Sequence, residues 1–318
     1  LTKLMTAHVV FSELAQGNLK LDDEVTISEK AWKTGGSKMF IEVGKKVKVE
    51  DLLKGMIIQS GNDASVALAE HIAGSESVFA SVMNTQARKL GMLNTNFINA
   101  TGLPDPDHYT TAEDIAKVAI ASIRDFPEYY KWYSVKSFTF NKIKQGNRNR
   151  LLWRDNTIDG LKTGHTEAAG YCLVASALRE NMRLVSVVMG TESEKSRADE
   201  SIKLLNYGFR FFETHKLYNA GDTLNQAKVW KGDIDQLPVG LQQDMYVTIP
   251  RNQYDKLDAS IRLKQPVTAP INKATQVGEI HVTLSGETVA RKPLIAHREV
   301  AEGGFLSRML DNVMMMLE

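Results

Sequence analysis

Residues 161–178, LKTGHTEAAGYCLVASAL, open with Lys162-Thr163-Gly164 and run on through small and apolar residues that read as a strand. On an exposed strand edge Lys162 offers a cation and Thr163 a hydroxyl, while Gly164 leaves room for a ligand backbone to lie alongside. Two other clusters come earlier in the chain. Lys3 stands at the start of a helical segment, and Ser60-Gly61-Asn62 falls between two helical stretches in MIIQSGNDASVALAE. Ammonium, hydroxyl and amide groups together can move protons and hold a polar ligand. Each also has a plainer use. Lys3 can be a solvated surface lysine, Ser60 a cap for the helix starting near Asp63, and Asn62 a turn residue after Gly61.

The elements that must position these groups follow from periodicity. A first helix is predicted over residues 4–16, with Leu4, Ala7, Phe11, Leu14 and Ala15 on one apolar face. Further helices are predicted at 49–56, 63–73, 75–90 and 111–125. Thr111 with Asp114 resembles a capping box, Ser75 can cap the helix that follows it, and Gly91 can end that helix. Strands are predicted at 137–140, 171–177 and 184–189, with Asn181 in the turn between the last two. Antiparallel strands beside a helical block define an α+β class. After about Leu217 the chain changes to short alternating runs such as DMYVTIPR and GEIHVTL, separated by Gly, Pro, Asp and Asn. Three parts are therefore expected: an α+β domain over 1–217, a small all-β domain over 218–302 and a tail helix over 303–318. In the tail, Phe305, Leu306, Met309, Leu310, Val313 and Leu317 fall on one face, and Arg308, Asp311 and Asn312 on the other. Such a helix either packs on the β-domain or lies in a membrane interface.

The bulk numbers exclude some classes. The 318 residues have a formal net charge of +1, which leaves no electrostatic footprint for nucleic acid. No apolar run is long enough to span a bilayer. Cys172 is the only cysteine, so an internal disulfide is ruled out. The seven histidines form no metal-ligand spacing, and no glycine-rich phosphate loop occurs, so neither metal nor organic cofactor is expected. Leu1 does not read as a natural start, and the protein is expected to continue upstream of it.

Taken in order, Lys3, Ser60-Gly61-Asn62 and Lys162-Thr163-Gly164 follow the S-x-x-K, S-D-N, K-T-G series of penicillin-binding proteins, with Gly in place of the Asp. With QSGNDA, NRNRLLW, DGLKTGHT and YGFRFFET, the chain resembles low-molecular-mass penicillin-binding proteins of type 5, the D-alanyl-D-alanine carboxypeptidases. The resemblance covers nearly the whole chain. It implies a catalytic domain of the serine β-lactamase and DD-peptidase type, a β-rich second domain and an amphipathic tail. It also implies cleavage of the terminal D-alanine from peptidoglycan stem peptides through an acyl-serine, covalent inhibition by β-lactams, and a place on the periplasmic face of the bacterial inner membrane, held peripherally by the tail.

The family nucleophile is the Ser of Ser-Leu-Thr-Lys, which the resemblance puts immediately ahead of Leu1. Lys3 then lies one helical turn from it and can take its proton once burial and nearby cations lower the lysine pKa; Lys162 is one such cation. Ser60 is implied as a proton relay to the leaving amine, and Asn62 as a holder of Lys3 or of a substrate amide. The backbone N–H of His165 is implied as an oxyanion donor, its ring being read as structural. Thr163 and Arg148 are implied to bind the substrate's free carboxylate, with Arg150 as the runner-up. A class A β-lactamase would add a glutamate in NTNFINATGLPDPDHY; there is none, and Glu113 sits in a helix first turn, so deacylation of β-lactams is expected to be slow. The loop AWKTGGSKM, 31–39, is shorter than its usual family form and is expected to border the site. Without the serine, the chain would be an inactive binding or scaffold homologue.

Overall fold

The structure is a computed structural model that describes residues 1–315. Contacts divide the chain into two compact units, Leu1–Gly208 and the part from Phe209 onward.

In the first unit, helix α1 (Lys3–Ala15) runs through the middle of the core. Leu4, Met5, Ala7, Val9, Val10 and Phe11 are all fully buried, so it is apolar on nearly every side. Ala15, expected on the same stripe, is exposed at the helix end. Around it lie α2 (Glu29–Lys33), α3 (Val49–Lys54), α4 (Asn62–Ala73), α5 (Glu76–Lys89) and α6 (Ala112–Asp125). The helix predicted to 56 ends at Lys54 and widens into a π-turn over Gly55–Gln59. Ser75 caps α5 through the N–H of Val78, and Gly91 leaves that helix with φ +72°. Of the Thr111–Asp114 capping box only half forms. Thr111 accepts from the N–H of Asp114 at 3.2 Å, but the Asp114 carboxylate turns to Asn94, Thr95 and Lys117, because those donors hold it in the core.

Short pieces complete this unit. Strands β1 (Glu24–Thr26) and β2 (Lys46–Lys48) pair, as do β3 (Ser137–Phe140) and β4 (Ile143–Gly146), and α7 (Pro127–Tyr130) and α8 (Leu151–Arg154) are single turns. The main sheet is an antiparallel run of β5 (Ile158–Thr166), β6 (Gly170–Arg179) and β7 (Met182–Thr191). The Lys-Thr-Gly triplet therefore has its own strand, β5, which pairs with β6 across a hairpin. Leu161 and Val174 of this sheet join the same core as Leu4 and Phe11. Helix α9 (Glu194–Phe211) follows.

The second unit begins ahead of the boundary expected near Leu217. Strand β8 (Phe212–Tyr218) pairs with β11 (Met245–Pro250), and this pairing draws it into the β-rich part. The larger sheet has the order β12-β14-β15-β10-β9-β13, from β9 (Thr223–Trp230), β10 (Gln236–Gly240), β12 (Leu257–Leu263), β13 (Val267–Thr268), β14 (Gln276–Leu284) and β15 (Glu287–Ala296). The tail forms α10 (Phe305–Met315). Its polar side is the one that engages the unit: Asp311 accepts from the backbone N–H of Lys231 at 2.5 Å, and Arg308 pairs with Glu302. Phe305, Leu306, Met309, Leu310 and Val313 are exposed, so the apolar face does not pack on the β-strands. Leu317 lies outside the described residues. Among the described residues no helix is long and apolar enough to cross a membrane.

Replacing Thr111 by Ala is expected to cost about 1 kcal/mol of unfolding free energy in urea titrations, through loss of the α6 cap.

Candidate active site

A cleft of about 1090 Å³ opens in the first unit, lined by Lys3, Ser60, Asn62, Arg148 and Lys162 through His165, but by neither Gly61 nor Arg150. The start of α1, the turn before α4, and β5 supply three of its walls.

Lys3 is buried, 6 % exposed, because α1 carries it into the core. Its Nζ donates to Asn62 Oδ1 at 2.5 Å and to the Thr101 carbonyl at 2.6 Å. Both acceptors are uncharged. Burial and the neighbouring Arg148 lower the Lys3 pKa to about 7, against a smaller opposing effect of Asp63. A neutral amine has two N–H bonds and one lone pair. With Asn62 and Thr101 occupying both N–H bonds, the lone pair is left a single open direction.

Asn62 is the first residue of α4 and not a turn residue. Its Nδ2 donates to the Gly35 carbonyl at 2.7 Å, and its own N–H to the Ser37 carbonyl at 2.7 Å. The loop 31–39 thus wraps the Asn62 side chain, and Gly36 and Ser37 line the cleft. A Cβ on Gly36 would fall 2.6 Å from Asn62 Nδ2, so this approach requires glycine. Asp63, fully buried, anchors the same loop by accepting from the backbone N–H groups of Met39 and Phe40.

Ser60 does not cap α4; Gly61 occupies the cap position, and no side chain fills that role. Ser60 instead closes the π-turn with φ +68°. For a non-glycine residue that conformation costs about 1–2 kcal/mol. The result is a hydroxyl on the cleft wall with no hydrogen-bond partner among the described residues.

On β5, a strand at the sheet edge, the expected exposure of Lys162 and Thr163 is not found: they are 3 % and 6 % exposed. The edge faces the cleft floor, not bulk solvent. Burial, then Lys3, Arg148 and Arg197, push the Lys162 pKa well below its ordinary value. A Cβ on Gly164 would come within 3.0 Å of the Leu1 nitrogen, so a side chain there would crowd the start of α1. The exposed ring of His165 packs at a tilt against Tyr171, with centroids 4.0 Å apart.

Arg148 is exposed, faces the cleft and has no hydrogen-bond partner among the described residues. Arg150 is exposed outside the cleft lining, next to α8. Sequence reasoning missed Arg197. In SEKSRADES it reads as one more charge on a helix surface, yet it is 4 % exposed. It donates to the Gly164 carbonyl at 3.2 Å, lies over the Tyr171 ring and pairs with Glu194 at 3.4 Å. Nothing in its local sequence signals this; the helix α9 delivers it to the end of β5. Also missed was His108. Its Nδ1 accepts from the Ile98 N–H, which leaves Nε2–H to donate to the Thr2 hydroxyl at 2.8 Å. Glu113 is paired with Lys117 at 3.1 Å and lies outside the cleft lining, as its first-turn position implied.

The cleft therefore gathers Lys3, Lys162, Arg148 and Arg197 around one floor, an arrangement that favours anions and lowers amine pKa values. It can take up a proton at Lys3 and hold a carboxylate or an oxyanion.

Residues 1–193 match the family model for D-alanyl-D-alanine carboxypeptidase, and residues 212–302 match the C-terminal domain of penicillin-binding protein 5. The chain is 47 % identical to the D-alanyl-D-alanine carboxypeptidase DacC of Escherichia coli K12, over 99 % of this chain and 81 % of that protein. Penicillin-binding protein 5 from Haemophilus influenzae superposes with a TM-score of 0.82 at 45 % identity, covering 95 % of this chain and 89 % of that one. The ampicillin-bound form of penicillin-binding protein D2 from Listeria monocytogenes matches with a TM-score of 0.60 at 31 % identity, over 65 % of this chain and 85 % of that one. The chain belongs to the D-alanyl-D-alanine carboxypeptidase family, in its penicillin-binding-protein-5 type. It is a serine-type D-Ala-D-Ala carboxypeptidase of peptidoglycan metabolism.

Because Arg148 disfavours the Lys3 ammonium, Arg148→Gln is expected to raise the Lys3 pKa. If Lys3 acts as a base only when neutral, the acylation rate rises with pH through about 7 in the parent protein. In the variant the rise moves to higher pH, which stopped-flow acylation across a pH series would record.

Proposed function

We propose that this chain removes the terminal D-alanine from stem peptides by way of an acyl-serine, with the nucleophile in the residue just ahead of Leu1. The observation that carries this reading is the Lys3 amine, buried, near neutral pH in its titration, and bound on two sides by Asn62 and Thr101. The serine Oγ attacks the carbonyl carbon of the penultimate residue, and its proton passes to the Lys3 lone pair. The oxyanion that forms is met by backbone N–H groups, that of His165 among them, in a field made positive by Arg148 and Arg197. Collapse breaks the C–N bond, and the leaving amine receives a proton through Ser60. Water then attacks the ester and restores the serine.

The free carboxylate of the substrate is held by Thr163 with Arg148 and Arg197. Arg197 suits this because its guanidinium is buried and its orientation is set by Gly164 and Tyr171 before substrate arrives. Its own ion pair with Glu194 is long at 3.4 Å, and Glu194 is half exposed. β-Lactams enter the same cleft and acylate the same serine. Residues 94–109, where the deacylating glutamate of class A β-lactamases would fall, hold no glutamate, so the penicilloyl adduct persists.

The apolar face of α10 rests in the lipid interface on the periplasmic side of the inner membrane, which fits a helix that engages its own unit through polar residues.

Incubation of the full protein with benzylpenicillin followed by peptide mapping should yield a stable adduct on the serine preceding Leu1; an adduct elsewhere, or none, overturns the assignment. Measured well above the Lys3 titration, Lys162→Ala should slow acylation by both penicillin and a D-Ala-D-Ala peptide by about 100-fold. At the same high pH, where Lys3 is neutral in both proteins, Arg148→Ala should impair mainly peptide turnover, and equal losses for both ligands would refute its role. Leu306→Glu with Leu310→Glu should abolish co-sedimentation with anionic vesicles while leaving peptide turnover unchanged.

A further inference from the structure

The Thr101 carbonyl is the second of the two acceptors that aim Lys3, yet it belongs to a loop with no regular structure. The side chain that makes most of the hydrogen bonds around Thr101 is that of Asn99. Asn99 Oδ1 accepts from the Thr101 N–H at 3.1 Å, the Thr101 hydroxyl at 3.0 Å and the Gly102 N–H at 2.7 Å. Its Nδ2 donates to the Leu103 carbonyl at 3.0 Å. The Thr101 hydroxyl in turn accepts from the Leu103 N–H at 3.1 Å. One amide therefore closes the turn from both ends.

Beside this turn, Glu76, whose side chain is only 12 % exposed, accepts from the Ala100 N–H at 3.1 Å and pairs with Lys30 at 2.7 Å. The two carbonyls so oriented both meet α1. That of Ala100 accepts from the Thr6 hydroxyl at 2.7 Å, and that of Thr101 from Lys3 at 2.6 Å. Thr6 and Lys3 are three residues apart and share a helix face. Asn99 does not line the catalytic cleft. It faces a separate hollow of about 420 Å³, with Lys30, Lys33 and Glu76.

We propose that Asn99 is a positioning residue for the acylation chemistry: by closing the turn over Thr101 it fixes the carbonyl that directs the Lys3 lone pair toward the nucleophile. Asn99 touches neither substrate nor nucleophile and acts only through Thr101 and Lys3. The inference rests on the reading of Lys3 as the base. It adds that the base is aimed from outside the cleft, through a backbone carbonyl, by an amide on the far side of the wall. Without that amide the turn keeps its chain path, but the Thr101 carbonyl loses its orientation. The Lys3 amine then has a second free direction, and its encounter with the serine proton becomes less frequent. Asp at position 99 keeps the acceptor oxygen toward Thr101 and Gly102, gives up the donor to the Leu103 carbonyl, and adds a negative charge two hydrogen bonds from Lys3. The charged groups already facing Lys3 are Arg148, Lys162 and Asp63, and those flanking Asn99 are Glu76, Lys30 and Lys33.

The test compares Asn99→Ala and Asn99→Asp in the full protein. Two readouts are taken: the Lys3 side-chain titration by nitrogen-detected NMR, and the pH profile of acylation by benzylpenicillin. Asn99→Ala is expected to slow acylation at its high-pH plateau by about tenfold or more, as for a base displaced by a fraction of an ångström. It should also move the Lys3 titration down, since the ammonium loses an acceptor. Asn99→Asp is expected to recover most of the plateau rate and to move both the titration and the acid limb up. Opposite shifts from the two variants support the proposal. Unchanged Lys3 titrations in folded variants, with only a lowered Tm, would overturn it, since a merely structural residue would leave the amine as it was. If Asn99→Ala fails to fold, Asn99→Asp decides alone: a rate below one-tenth of the parent with no shift of the Lys3 titration overturns the proposal. Failure of the base assignment itself would look different. The parent's acid limb would not coincide with its Lys3 titration, whatever position 99 carries.

Discussion

Two lysines buried in one cleft, and held by carbonyl and amide oxygens instead of carboxylates, are the constraint that organises the first unit. A buried ammonium without a counter-ion is costly, and the usual outcome is a lowered pKa. Lys3 follows that course, reaching about 7, and Lys162 is driven in the same direction by burial and by Lys3 itself. The same arrangement that makes an ammonium unfavourable makes an arriving anion welcome. In the proposed reaction, base strength and carboxylate binding are thus two results of one distribution of charge.

Much of the surrounding structure maintains this arrangement. Helix α1 is apolar on nearly every side, so the core fixes its position and with it the height of Lys3 above the sheet. Asp63 opposes the lowering of the Lys3 pKa only weakly; its carboxylate chiefly gathers the backbone of Met39 and Phe40 and keeps the 31–39 loop against Asn62. Gly36 and Gly164 are where other parts of the chain come too close for a Cβ. Ser60 accepts a left-handed backbone to bring its hydroxyl to the wall. Small costs in backbone strain and polar burial are spread over this unit, and the packed helices offset them.

The second unit has its own organisation. Its sheet buries Ala227, Val229, Leu237, Val239 and Ala296 in one cluster, while Ile280, Val282 and Leu294 centre another. Helix α10 inverts the usual order of amphipathic packing, with Asp311 and Arg308 engaged and the apolar face turned away. In water such a face is unfavourable, and an apolar interface is the environment that relieves it.

The three motifs in their order, the α+β class, the β-rich second part and the amphipathic tail were all legible in the sequence, because local spacing and alternation encode them. Lys3, Asn62 and Lys162 could be named from motif spacing, and Arg148 preferred over Arg150 from its local string. Burial was not legible: Lys162 and Thr163 lie on an edge strand, yet that edge faces the cleft floor, a fact set by α1 and α9. Asp114 offered a capping box in sequence, but donors from Asn94, Thr95 and Lys117 won its carboxylate in the fold. Arg197 and Asn99 carried no local signal, since a helix-surface arginine and a loop asparagine look ordinary until the chain brings them beside Gly164 and Thr101. The sequence by itself determined which chemical groups are available and the elements that carry them. Only the tertiary structure decided which of those groups lose water and which acceptors they then face, because desolvation and hydrogen-bond geometry depend on contacts between residues far apart in the chain.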